Sequence, residues 1–388
     1  MHNKALLLLG LFVGIVAACG KTTPDVVDPF ADTPWVEDET QPVPIQFGQK
    51  RTDVDLTETK AGAITTLDGM PFGVLSLDES YLNSFTSTTV DGTEALLLLN
   101  RKGVKTQRII DGNTYDVIQF KNGTDDVQYY YPIFSSYNYN FYGYKTTAFA
   151  SDEPNLTWDA TNQTYTIPGI AVGAYDILWA KAVATPFTYE TVEYNGFNAR
   201  FMRKARLRQQ AGGAGDDTFY ADNLPALAFD HLTAALHFKV KAYDQAAEDS
   251  FGTTPPVTIQ TLKVAGELVT EATLDVVNGT LTGTASAASE IVLSGDPFKP
   301  TTTATEFGEG LFILPTDEAL TLTFTLAEPN DRTETVTVDL STIQPVNGFE
   351  AGKSYTFTIV VHSLEDAHVK VTLNGFDLDD GDYNIVVE

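Results

Sequence analysis

Short runs of alternating apolar residues, each closed by turn formers, recur along almost the whole chain and constrain its fold more than any other feature. They include VPIQF (43–47), FGVLSL (72–77), TYDVIQF (114–120), YNYNFYGY (137–144), LHFKVKA (236–242), LTLTFTL (320–326), ETVTVDL (334–340), SYTFTIVV (354–361) and VKVTLNG (369–375). Each is rich in Val, Thr, Tyr, Phe or Ile and bounded by Gly, Asn, Asp or Pro, the pattern of antiparallel strands joined by turns. Segments with a 3.6-residue period are scarce, and only NLPALAFDHLTAAL (223–236) brings a helical turn into competition with a strand. The expected fold is all-β, with two tandem antiparallel sandwiches. At 388 residues and 43% apolar composition the chain can fill such cores.

The single cysteine, Cys19, excludes a disulfide framework. Residues 5–18 before it are apolar and uncharged, too short to span a bilayer and of the length of a signal-peptide core. Val16, Ala17 and Ala18 place small residues directly ahead of the thiol. This resembles the lipobox of bacterial lipoproteins, which implies removal of residues 1–18 and lipid attachment at Cys19. Two or more acyl chains on one residue anchor stably where one does not. Residues 19–42, with four prolines among acids, read as an extended tether.

Removing residues 1–18 takes away one lysine and no acid, so 23 basic residues face 52 acidic ones, a formal charge of −29. A field of that sign repels nucleic acid and anionic headgroups. The expected domains are an N-terminal sandwich at 43–182, a linker or basic loop at 183–222 and a C-terminal sandwich at 223–388. The middle stretch carries Arg200, Arg203, Lys204, Arg206 and Arg208 ahead of a glycine run. Such runs are most often solvated.

Catalytic patterns are absent from the sequence: no HExxH, GxSxG, phosphate-binding loop or dinucleotide fingerprint accompanies the histidines. His231 and His237 could share a strand face as a metal pair, but no carboxylate stands at ligand spacing. DLDDGD (377–382) misses the spacing of an EF-hand loop and reads as an acidic turn. No enzyme, cofactor or metal is read here. Tyr137, Tyr139 and Phe141 fall on one strand face, to fill a core or, if exposed, to stack on sugar rings.

The lipobox, PIQF, TKAG before FGVLSL, YYYP…YNFYGY, YDILWAKA, LAFDHLTAALHFKVKA, LFILP and AGKSYTFTIVV follow one another in the order found in fimbrillins. The chain therefore resembles these lipoprotein-type (type V) pilins of anaerobic gut and oral bacteria, from Cys19 almost to its end. It departs from them in ending GFDLDDGDYNIVVE, without the tryptophan many relatives place there. The resemblance implies two transthyretin-like β-sandwich domains and a lipid-borne precursor at the outer membrane. A trypsin-like protease then removes the first strand after a basic residue, and a neighbouring subunit's strand refills the gap in a surface fimbrium used for adhesion. Expected partners are other pilin subunits, the outer membrane and an unidentified surface ligand. On this sequence the processing residues are Arg51 or Lys60. Val43, Ile45 and Phe47 are the apolar face of the excised strand, with Pro44 marking it as an edge. Tyr383, Ile385 and Val387 repeat the triplet as the candidate donor strand. The alternative is a monomeric surface lipoprotein that binds glycans through exposed aromatics.

Overall fold

The computed structural model describes residues 39–50, 71–78, 96–110, 113–133, 137–146, 156–159, 161–162, 164–212, 216, 218–252, 256–327, 333–342, 344–362, 367–375 and 383–385. Residues 1–38, which include Cys19, the expected signal peptide and most of the expected tether, lie outside the described residues, as do Arg51, Lys60 and Val387.

Eight strands build the largest sheet. Its spatial order is β14 (Asp230–His231), β11 (Leu178–Ala182), β8 (Tyr139–Lys145), β3 (Pro71–Asp78), β4 (Leu96–Ile110), β5 (Asn113–Asn122) and β2 (Gly48–Lys50), with β6 (Asp125–Val127) paired to β5. Every pairing in it is antiparallel. Two short ribbons accompany it, β1 (Val43–Pro44) with β7 (Tyr130–Tyr131) and β12 (Phe187–Tyr189) with β13 (Val192–Tyr194).

Both faces of this sheet are covered, as its inner strand β8 records. All seven of its residues are buried. Tyr139 and Phe141 pack with Phe72, Val74 and Phe120 on one side, whereas Tyr142 and Tyr144 pack with Leu75, Leu77 and Tyr165 on the other. Tyr137, Tyr139 and Phe141 thus share one core as expected, and Tyr142 and Tyr144 add rings on the opposite face, because the strand is enclosed by layers on both sides. Packing at Gly73 is correspondingly tight, since a Cβ there would stand 2.1 Å from the Tyr144 ring. Any side chain at position 73 displaces that ring.

The second layer is a four-stranded antiparallel sheet of β9 (Thr157–Asp159), β10 (Thr164–Ala171), β17 (Glu271–Asp275) and β18 (Thr280–Gly283). Its two hairpins share one turn chemistry. In WDATN, Asp159 accepts from the backbone N–H groups of Thr161 (2.9 Å) and Asn162 (3.2 Å), and the Asn162 carboxamide donates back at 2.7 Å. In LDVVN, Asp275 does the same with Val277, Asn278 and the Asn278 carboxamide at 3.0, 3.0 and 2.8 Å. Short polar side chains that bond the backbone two and three residues on favour such turns. Because β10 and β17 are paired, strands at 271–283, expected in the C-terminal sandwich, hydrogen-bond to strands at 157–171 instead.

The rest of the C-terminal half is a sandwich of two sheets over one core. One sheet runs β20 (Thr305–Glu306), β15 (Ala234–Ala242), β24 (Lys353–Val361), β25 (Ala367–Gly375) and β26 (Tyr383–Ile385), with β21 (Leu311–Ile313) also on β15. The other runs β19 (Ser286–Leu293), β16 (Thr258–Leu268), β22 (Thr321–Ala327) and β23 (Thr333–Asp339). In β22, Leu322, Phe324 and Leu326 are fully buried while the threonines between them are not, the period-2 pattern of a half-buried strand. Complete burial of three such side chains contributes roughly 5–9 kcal/mol.

One pairing departs from the antiparallel expectation. β15 and β24 run parallel over eight residue pairs, with the Phe238 and Phe357 rings stacked at 5.4 Å in register. Parallel strands need a long crossover, and here residues 243–352 supply it together with the opposing sheet.

The segment expected to be a linker is also ordered differently. It contains β12, β13, α1 (Ala199–Ala211) and α2 (Phe219–Asp222), and a third helix, α3 (Gln245–Ser250), follows β15. Asn198 caps α1 by accepting from the Phe201 N–H at 2.8 Å, and Gly212 closes it at φ +62°. Phe201, Met202 and Ala205 put an apolar stripe on the core, so the basic residues are not a solvated loop.

Candidate functional site

All six residues from Val43 to Gly48 are buried, a continuous piece of chain near the start of the described residues. Val43, Ile45 and Phe47 are only 2, 2 and 3% exposed. Val43 and Pro44 pair antiparallel with Tyr131 and Tyr130, which leaves the proline at an edge where its missing N–H is tolerated. The Ile45 N–H then donates to the Tyr129 carbonyl at 2.8 Å, and the Gln128 carboxamide donates to the Ile45 carbonyl at 2.9 Å. From Gly48 the chain pairs with β5.

On one side of this segment lies the large sheet. Phe47 meets Phe141 and Phe120 edge-on, at centroid separations of 5.0 and 5.8 Å. The helical region lies against the other side. The Arg203 guanidinium donates to the Gln41 carbonyl at 2.5 Å, the Tyr220 hydroxyl donates to Gln46 Oε1 at 3.3 Å, and the Gly48 N–H donates to the Pro225 carbonyl at 3.2 Å. The segment is therefore held in a groove floored by β-sheet and covered by helix. Next to Phe47 a cavity of about 50 Å³ remains, walled by Phe72, Lys105, Ile118, Leu227 and Phe229 among others.

The arginines of α1 serve this cover. Arg203 and Arg206 are 5 and 7% exposed, and Arg206 lies over the Tyr220 ring at 5.4 Å. Arg208 pairs with Asp216 at 3.1 Å and lies 4.0 Å over the Phe219 ring. Long aliphatic stems let such residues pack apolar surface while their heads find acceptors or rings. Burial pushes the Tyr220 phenol up to about 12 against the opposing pull of Arg206. Burial raises Tyr131 well above its ordinary value too, aided by Tyr220 and Tyr139. Both phenols are thus held neutral against the first segment. Tyr220 and Gln46 were not singled out from the sequence, and Arg203 and Arg206 stood out only as members of a basic run. The signals available were the cap-forming Asn198 and the Gly-rich stretch after Ala211, which together frame a helix.

At the other candidate positions the geometry is plain. β26 places Tyr383 and Ile385 opposite Leu373 and Val371 at the edge of the C-terminal sheet. His231 and His237 do not form a pair: Nδ1 of His231 meets Asp176, and Nδ1 of His237 meets Glu306 at 2.9 Å. Asp176 also accepts from the Thr233 hydroxyl at 2.6 Å. Burial depresses the nearby Lys145, with Asp176 opposing the shift. Among the described residues no group of three or more His, Cys, Asp or Glu side chains is placed to hold a metal ion, and no helix is long and apolar enough to cross a membrane. Tyr139, Phe141, Tyr142 and Tyr144 are fully enclosed, which removes that strand as a platform for sugars.

Residues 88–375 match the protein family described as fimbrillin-like. No curated protein matches the sequence. Among solved structures, similarity extends to a candidate cell-adhesion protein from Bacteroides uniformis at 20% identity, covering 87% of this chain and 98% of that one, with a TM-score of 0.49. A second from Bacteroides ovatus shares 15% identity over 90% and 99% of the two chains, at a TM-score of 0.43. The fimbrial anchor protein Mfa2 from Porphyromonas gingivalis shares 9% over 86% and 98%, at 0.34.

Proposed function

Because the chain belongs to the fimbrillin-like family, we propose that it is an assembling subunit of a surface fimbrium, matured by replacement of its first strand. The precursor travels to the outer membrane on lipid attached to Cys19. A protease cuts after Arg51 or Lys60, the segment holding Val43, Ile45 and Phe47 leaves, and a strand bearing Tyr383, Ile385 and Val387 from a neighbouring subunit fills the groove. The two packed halves of the molecule are read as the tandem transthyretin-like domains of that family. The product serves adhesion, with other pilin subunits as partners.

The observation that carries this reading is the buried segment 43–48, seated in a groove between sheet and helical cover and followed closely by basic residues. Three apolar side chains leaving that groove expose surface worth roughly 5–9 kcal/mol. This is comparable to the whole stability of an ordinary domain, so an emptied groove demands a new occupant. Deleting residues 382–388 tests the donor half of the mechanism. Polymerisation is expected to stop while the melting temperature of the uncut chain stays within a few degrees, because among the described residues β26 pairs only with β25. A large fall in melting temperature makes the strand structural, and intact polymer makes it dispensable. Either result removes the donor role.

A further inference from the structure

Read backwards, the first segment matches the end of the chain position by position. From 47 down to 43 the residues are Phe, Gln, Ile, Pro and Val, and from 383 up to 387 they are Tyr, Asn, Ile, Val and Val. Aromatic falls on aromatic, carboxamide on carboxamide, isoleucine on isoleucine, and compact apolar residues complete both runs. Read in the same direction, only the central isoleucines correspond. Tyr383 then falls on Val43 and Val387 on Phe47.

The seats differ enough for direction to matter. The Phe47 seat is bounded by the rings of Phe120 and Phe141 and opens onto the cavity of about 50 Å³ with Lys105 in its wall. A tyrosine there gains room for its hydroxyl and a polar group beside it. At the seat of Gln46, 9% exposed, the carboxamide accepts from the Tyr220 hydroxyl. An apolar residue in that place strands a buried phenol, which is costly. Asn384 supplies the replacement carboxamide only in the reversed direction, since Val386 falls there in the other. Val386 in the place of Pro44 adds an N–H that the first segment lacks.

We infer that the groove of residues 43–48 accepts the C-terminal strand of a second copy of this chain in the reversed direction, with Tyr383 in the seat of Phe47, Asn384 in that of Gln46 and Val387 in that of Val43. The inference rests on the strand-replacement reading above and adds to it a direction and a register. The first segment is antiparallel to β7, so the incoming strand is parallel to it.

Cross-linking reads direction directly. Ile118 walls the cavity beside Phe47. Full-length chain carrying Cys19→Ser and Ile118→Cys is combined with either Tyr383→Cys or Val387→Cys, polymerised with a trypsin-like protease and oxidised. Non-reducing gels are expected to show intersubunit cross-links for the 118–383 pair in about tenfold or greater excess over 118–387, as side chains at 383 and 387 lie some 13 Å apart along a strand. Dominant 118–387 cross-linking overturns the direction yet leaves strand replacement standing. Absence of both overturns direction and replacement together. A composition-matched variant, Tyr383→Val with Asn384→Val, Val386→Asn and Val387→Tyr, reverses the order of the strand. Its polymerisation is expected to slow by about tenfold or more, given a misplaced ring and an orphaned phenol. An unchanged or faster rate at an unchanged melting temperature overturns the proposal.

Discussion

Replacing Phe47 by alanine separates a strand that belongs permanently to the fold from one that is later exchanged. The ring is 3% exposed and packs edge-on against Phe120 and Phe141. Phe→Ala in a core costs about 3–5 kcal/mol. The cavity of about 50 Å³ beside the ring means that it already lacks contacts on one side, which places the cost near 3 kcal/mol. For a chain of this size that loss lowers the melting temperature by roughly 3–5 °C. Calorimetry on the uncut chain and on protease-treated polymer supplies the comparison. The uncut Phe47→Ala chain is expected to melt earlier than its parent, and the two polymers are expected to melt together, because neither retains position 47. A fall below about 1 kcal/mol in the uncut chain contradicts the packing argument. An equal fall in the polymer contradicts replacement of the segment.

Two further outcomes are expected. Cys19→Ser abolishes incorporation of a clickable fatty acid and leaves an uncut or soluble precursor, since no other residue offers a thiol; equal labelling of the mutant moves the anchor elsewhere. Stability should also fall between about pH 10 and pH 12, because unfolded tyrosines ionise near 10 while burial holds Tyr220 neutral to about 12. Above pH 10 the unfolded state therefore binds fewer protons than the folded one, and Tyr220 alone accounts for roughly 3 kcal/mol across that window. Denaturant melts at successive pH values measure the slope, and Tyr220→Phe should flatten it. An unflattened slope shows that the phenol does not ionise on unfolding.

The strands were legible because a half-buried strand writes its alternation into the sequence, as β22 does with Leu322, Phe324 and Leu326 against the threonines between them. The first strand was readable on the same grounds, although its even positions, Pro44 and Gln46, proved buried as well. What covers a strand on its second face is a matter of distant chain, and so β8 disguised itself: its rings fill two cores made by segments up to more than a hundred residues away. Parallel pairing of β15 with β24 leaves no local trace at all. The helix α1 was hidden for a different reason. Its arginines dominate the composition of 197–217, yet Arg203 and Arg206 are buried by their stems and by Gln41 and Tyr220, partners far off in sequence or beyond a glycine run. The roof of the candidate groove could therefore not be read from charge, whereas its floor and its occupant could be read from period.

The central claim is that the first strand is removed before the subunit enters the fibre. Mass spectrometry of the N-terminus of subunits sheared from the cell surface, with electron microscopy of the same material to establish that it is fibrous, tests this most directly. The account predicts subunits that begin at Thr52, after Arg51, or at Ala61, after Lys60. Fibres whose subunits all retain Val43 to Phe47 would contradict it.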